Sequence, residues 1–417
     1  MSFGQGLSGL KGAAQKLDVI GNNIANSGTV GFKSSSVSFA DVYASSRVGL
    51  GTQISAVNQD FSVGNLSVTG GQFDLAIDGG VGMFRVEDAS GSVYFTRNGQ
   101  FSPDKNGYLE NAQGQYLTGY LKDQTTGTYG LNPAPIRIPT GNIAPRATGT
   151  SEVEGEKGIT VRRMNLDADA DVAGTWAVVD GVANPNGYNM SVPMTVYDSL
   201  GKEHQLTQYF RKLPVTAGDS DTYNRWEVRY QLGDTFLPDT TAKIIQFDTA
   251  GLITTASSDH ALTDVAVPPA ADLDIPVSYA GATQFGGPFN YEFRQDGYAT
   301  GEYASMSVSP DGTIVANYTN GELLEVGYVV LADFPNMQGL KPAGGNAWLQ
   351  TAEAGALRLG RPGENGLSQL MSQAVEESNV DISTELVNMI ITQRTYQANA
   401  QSISTQSEMM QALMNIR

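Results

Sequence analysis

The sequence predicts a mostly β protein with terminal α-helices. The N- and C-terminal helices pair as a coiled-coil-like stem carrying two nested antiparallel β domains. Three observations predict this. Apolar residues recur at alternating three- and four-residue steps near both termini. Asn-Gly and Asp-Gly turn dipeptides punctuate the stretch between. Composition also shifts near residue 147 and back near residue 288, as for one domain inserted into another.

The N-terminal stripe consists of Leu7, Leu10, Ala14, Leu17 and Ile24, with Gly21 in the remaining slot and Ile20 beside it. That is a heptad-like face over several helical turns. The helix closes in LDVIGNNIANSGTVGFKSSS, residues 17–36. There Asn22, Asn23, Asn26 and Gly28 cap and turn the chain, and Val30 and Phe32 open a β-like run.

Residues 381–417 repeat the device. Ile382, Leu386, Met389, Tyr396, Ala400, Ile403, Met410 and Met414 form the stripe, with Gln393 and Ser407 in its two polar slots. Asp381 supplies an N-cap, and no Gly or Pro interrupts the stretch, which predicts a helix of about 55 Å at 1.5 Å per residue. Each helix has one apolar stripe and no sequence neighbour to bury it, and short helices are marginal alone in water. The two ends are therefore expected to meet each other and other copies. Outside the stripes the faces are uncharged: TQRTYQANAQSISTQSEMMQ contains only Arg394 and Glu408 as charges. Such faces suit subunit contacts or a pore lining better than bulk solvent.

Between the helices, Asn-Gly occurs at 98, 106, 186, 320 and 365, and Asp-Gly at 78, 180, 296 and 311. Runs such as Val93-Tyr94-Phe95-Thr96 flank them, so hairpins are expected. Pro133, Pro135, Pro139 and Pro145 mark the start of the insertion, and Gly281, Gly286, Gly287 and Pro288 its end. Residues 151–290 hold 19 acidic and 9 basic side chains, more than half of the chain's net charge of −18.

That net charge argues against nucleic acid or an anionic membrane as the main partner. The absence of cysteine excludes disulfides, thiolate catalysis and Cys-ligated metals. With only His204 and His260, a His-rich metal site or a Ser–His relay has almost no raw material. No 18-residue apolar run could span a bilayer, and the N-terminus lacks the layout of a signal peptide.

The remaining chemical candidates are weak. Asp167, Asp169 and Asp171 begin like a calcium loop, but Val172 and Val178 stand where its glycine and closing glutamate belong. Gly79, Gly80 and Gly82 lack a full phosphate-loop pattern and precede a strand. Glu376-Glu377 and Glu152, Glu154 and Glu156 read as solvated faces, and His204 as a surface or strand-edge residue. Met409, Met410 and Met414 read as packing residues. No enzyme, cofactor or metal is expected.

LDVIGNNIANSGTVGFK resembles the N-terminal signature of the bacterial flagellar rod and hook axial protein family: an Asn-Asn-Ile-Ala-Asn core, then Thr-x-Gly-Phe-Lys. Asn22, Asn23, Asn26, Gly31 and Phe32 carry this match, and Gln393-Arg394 with Tyr396-Gln397-Ala398-Asn399 match the family's closing helix. FDLAIDGGVGMFRV and YFTRNGQFSPDKNGYLENAQGQYLTGY resemble its shared β domain, and VPMTVYDSLGKEHQLTQYFRK the outer domain of its hook branch. The resemblance implies a structural subunit of a curved hollow tube, a flexible universal joint passing torque from rod to filament.

The family pattern also implies a layout. Residues 1–25 and 370–417 would form the inner tube, 26–70 and 355–369 an extended linker, 71–146 and 288–354 a middle β domain, and 147–287 an outer one. It implies export through the flagellar type III apparatus to an extracellular hook without signal cleavage, with Phe39, Val42 and Tyr43 as the matching recognition element. Its implied partners are further copies of the chain, the distal rod protein, the hook cap and the hook–filament junction protein. Nucleic acid and membrane insertion are not among them. A distal rod subunit would share the termini but lack the insertion. A secreted fibre or adhesin would carry a signal peptide and no paired terminal helices, and a hydrolase would need convergent acids or a Ser–His pair.

Overall fold

The computed structural model describes residues 3–43, 49–124, 126–151, 157–179, 181–215, 224–238 and 242–415. Helix α1 spans Phe3–Ala25 and α2 spans Ile382–Asn415, and the two lie antiparallel against each other. A Cβ placed on Gly6 would meet Ile403 at 3.0 Å, and one on Gly9 would meet the Asn399 amide at 2.8 Å. Small residues therefore set how closely α2 approaches.

The seam lies one residue away from the apolar stripe on each helix. On α1 the buried positions are Gly6, Gly12, Ala13, Ile20 and Asn23, whereas Leu7 is 40% exposed. Among the described residues of α2 Thr392 is the buried one, while Gln393 beside it is exposed. One residue is about 100° of helical rotation, so the partner helix covers the edge of each stripe and leaves its centre uncovered. Met409, Met410 and Met414, read from sequence as packing residues, are all exposed in the single chain.

Residues 26–70 were expected as an extended linker, and within that span two strands pair with each other. Strands β1 (Ser35–Tyr43) and β2 (Gly49–Gln59) pair antiparallel and lie against α1. Pairing satisfies backbone groups that an extended segment would leave to water. The Ser8 hydroxyl accepts from the Thr52 N–H at 3.3 Å, and the Phe39 ring sits over Gly12, where a Cβ would meet it at 3.0 Å.

The β body begins with β3 (Leu66–Val68), which pairs with Ala374–Glu376 just before α2. Beyond it, strands 83–87, 93–96, 116–121, 303–308, 313–318 and 323–329 belong to one extended sheet. This sheet closes over a core that includes Leu75, Ile77, Phe84, Leu117, Ile314 and Val329. A second cluster, with Met83, Phe95, Phe334 and Trp348, packs near the helices' end of the body.

Residues 159–282 contribute a separate core. Phe210, Trp226, Tyr230 and Tyr279 are buried in it between two five-stranded sheets. One sheet is an antiparallel meander, and in the other, strand 159–167 runs parallel to 273–278 and 282–285. The long intervening chain makes that crossover possible. This unit joins the body through a neck of two chain segments. Arg146 and Tyr298 exchange backbone hydrogen bonds at 3.0 and 2.9 Å, and Ile143 bridges Gly301. Just above, the buried Asp296 carboxylate accepts from the N–H groups of Gly149 and Ser151, each at 2.8 Å.

Candidate assembly site

The N-terminal signature is where α1 becomes the β body. At the helix end, the Asn26 N–H bonds the Asn22 carbonyl at 3.1 Å, and the Asn26 amide donates to the same oxygen at 3.0 Å. Asn26 also accepts the Thr29 hydroxyl at 3.2 Å. The C-terminal carbonyls of a helix lack internal partners, and here the next asparagine supplies one. Asn23 points inward and is buried. Its amide donates to the Ser35 carbonyl at 2.8 Å, and its oxygen accepts the Ser35 N–H at 3.0 Å. That two-way pairing ties the start of β1 to the helix. The same amide reaches Glu385 of α2 at 3.4 Å.

Gly31 adopts a left-handed φ of +69°, and a Cβ there would meet the Asn98 backbone nitrogen at 2.5 Å. Only glycine fits this approach. Its N–H donates to the Glu376 carbonyl at 2.7 Å, and the Phe32 N–H bonds Thr29 at 3.2 Å. The next signature residue, Lys33, is fully buried. Its ammonium meets Glu376 Oε1 and the Ser62 carbonyl, both at 2.5 Å. The other Glu376 oxygen takes Arg97 at 3.0 Å, and Arg97 also donates to the carbonyls of Gly79 and Gly80. The Gly64 N–H completes the carboxylate's partners at 2.9 Å. Burial pulls both cations below their ordinary pKa, and the Glu376 charge opposes the shift.

This overturns the reading of Glu376 as part of a solvated face. Glu376 is completely buried, and it joins the N-terminal signature, the Arg97 turn and the strand leading into α2. Sequence reasoning missed the cluster because its partners lie hundreds of residues apart. The available signal was that Lys33 and Arg97 both stand inside motifs that resemble the axial protein family, GTVGFK and YFTRNGQF.

The helix residues named from sequence fall into two groups. Ile20 is buried, and Leu10, Leu17, Ile24, Met389 and Ile403 are half-buried. Leu7, Ile382, Leu386, Tyr396, Met410 and Met414 are exposed, as are Asn22, Gln393 and Arg394. Val387, Ile390 and Ile391, outside the expected stripe, are exposed as well, so α2 presents a broad apolar surface. Phe39 is 43% exposed on β1, Val42 is half-buried, and the side chain of Tyr43 lies outside the described residues. Among the described residues no cluster of His, Cys, Asp and Glu could hold a metal, and no helix is long and apolar enough to cross a membrane.

Four family models match the chain in order. They are the flagella basal body rod protein model over residues 5–33, the flagellar hook protein FlgE/F/G D1 domain over 76–160, the flagellar basal body protein FlaE D2 domain over 165–298, and the flagellar basal body rod FlgEFG protein C-terminal model over 371–416. The flagellar hook protein FlgE of Salmonella typhimurium is 39% identical, with all of both chains covered. Its counterpart from Escherichia coli is 38% identical over the same extent. Among solved structures, the crystal structure of Helicobacter pylori flagellar hook protein FlgE2 matches with a TM-score of 0.52 at 16% identity, covering 75% of this chain and 99% of that one.

Proposed function

The chain belongs to the flagellar hook protein family and is a structural subunit of the hook; from that premise we propose that it polymerises through its terminal helices into a curved hollow tube, a flexible joint passing torque from rod to filament. The observation that carries this reading is the uncovered apolar surface on α2, which a solitary chain would expose to water. Leu7, Leu10, Leu17, Ile20 and Ile24 on α1, with Ile382, Leu386, Met389, Tyr396, Ile403, Met410 and Met414 on α2, make the inner-tube contacts. The core on residues 71–146 and 288–354 forms the middle shell, and the acidic unit on 147–287 the outer shell. Modest, wet contacts between acidic outer units let neighbouring subunits slide while the helical core persists.

The role is mechanical and not enzymatic. The chain reaches an extracellular hook through the flagellar type III apparatus, with Phe39, Val42 and Tyr43 as the recognition element. It meets the distal rod protein, the hook cap and the hook–filament junction protein at the ends of the tube. Electron microscopy of the purified chain under polymerising conditions tests the reading. Curved hollow tubes are expected, and a chain without residues 1–30 should form none. Discrete particles under every condition would overturn it.

A further inference from the structure

Helix α2 is longer than the helix it pairs with. Gly6 faces Ile403, Gly9 faces Asn399 and Asn23 reaches Glu385, so facing positions add to 408 or 409. Phe3 at the start of α1 therefore lies opposite Thr405 or Gln406. Residues 408–415 of α2 run past that point, an overhang of about 12 Å at 1.5 Å per residue. Met409, Met410 and Met414 on it are 58, 63 and 70% exposed, and its one charge is Glu408.

One helical span away lies a groove of about 460 Å³ between α1, the β1–β2 hairpin and α2. Gly9 and Ala13 help form it with Thr395 and Asn399, the apolar Phe39 and Ile391 also line it, and among the described residues Lys16 is its one charged lining residue. The overhang of the same chain cannot fill this groove. Both lie along one unbroken helix, with Thr395 and Met410 about 22 Å apart.

We propose that residues 408–415 of one copy seat in the α1–hairpin–α2 groove of a second copy, the flexible methionines meeting Phe39 and Ile391 and Glu408 approaching Lys16. The proposal rests on the hook reading and adds to it a specific contact between subunits. Methionine adapts to irregular apolar grooves, and the opposite charges of Glu408 and Lys16 match. Groove and overhang are different surfaces, so the contact is heterologous and propagates from copy to copy. Two overhangs paired with each other would stop at a dimer.

The cysteine-free chain makes the test direct. A chain carrying both Thr395→Cys and Met410→Cys, assembled and then mildly oxidised, should give a ladder of covalent oligomers on a non-reducing gel. The two positions are too far apart to bridge within one chain. Neither single variant should give a ladder. Dimers from Met410→Cys alone would show overhang pairing with overhang and overturn the proposal, as would tubes that yield no ladder. The latter outcome leaves the hook reading intact, whereas absence of tubes from the unmodified chain would count against both. Independently of cysteine chemistry, Lys16→Glu and Glu408→Lys should each slow tube growth several-fold, and the double exchange should restore it. Full-rate growth of both single variants would again overturn the contact.

Discussion

Glu376 pairs with two buried cations at once, and its neighbours in space come from positions 33, 64 and 97. Removing one member of a buried charge cluster costs far more than the cluster contributes over an apolar replacement, because a charge is left without a partner. Glu376→Gln should therefore lower stability by about 3–5 kcal/mol in denaturant unfolding of the unassembled chain. Lys33→Met should cost less, since Arg97 and Glu376 still pair. A near-neutral Glu376→Gln would mean that water reaches the site. Little of this was legible beforehand. A glutamate next to another glutamate reads as surface, and nothing local announces partners 343 and 279 residues away. Asn23 was more legible: three asparagines in five residues at a helix end call for backbone partners, although its bond to Ser35 needed the hairpin to be seen.

The two helices and the β character were readable because each rests on local spacing. The face by which the helices meet was not. The apolar stripe gave a direction, but glycines and alanine, which carry no hydrophobic signal, set the actual seam one residue away. The hairpin at 35–59 escaped notice because SSVSFADVY and GTQISAVNQ mix polar and apolar residues on both faces, so no clean alternation marks a strand. The α2 N-cap, in contrast, was plain from sequence. The Asp381 carboxylate accepts the Thr384 hydroxyl at 2.6 Å and the Ser383 N–H at 2.9 Å, which holds its pKa below the usual aspartate value. A depressed carboxyl favours the helix above the ordinary aspartate pKa of about 3.9, and that contribution disappears as pH falls through the lower folded value. The hydrogen-exchange protection factor at the first turn of α2, measured against the intrinsic rate at each pH, should accordingly fall below about pH 4 in the native chain. In Asp381→Ala that protection should be lost already at neutral pH, and identical protection profiles for the two chains would refute the cap.

At the scale of the molecule, the outer unit hangs on a two-segment neck and has its own core. Replacing residues 149–295 by a short turn between the paired Arg146 and Tyr298 segments should leave the middle body folded and tube formation intact. Curvature or stiffness of the tubes, seen by electron microscopy, should change; loss of all assembly would contradict an outer placement. The charge cluster at Glu376 has a consequence of another kind, in the order of events during synthesis. A ribosome makes Lys33 and Arg97 long before it makes Glu376, so for most of translation two cations destined for burial have no counter-charge. The strand pairing β3 with Ala374–Glu376 is equally missing until then. Closure of the middle body at this joint thus waits for the last tenth of the chain, whereas the outer unit, whose core lies within residues 159–282, is complete earlier. Chains ended at residue 370 should keep a protease-resistant outer unit but lose protection in the middle body, whereas chains ended at residue 380 should protect both without α2.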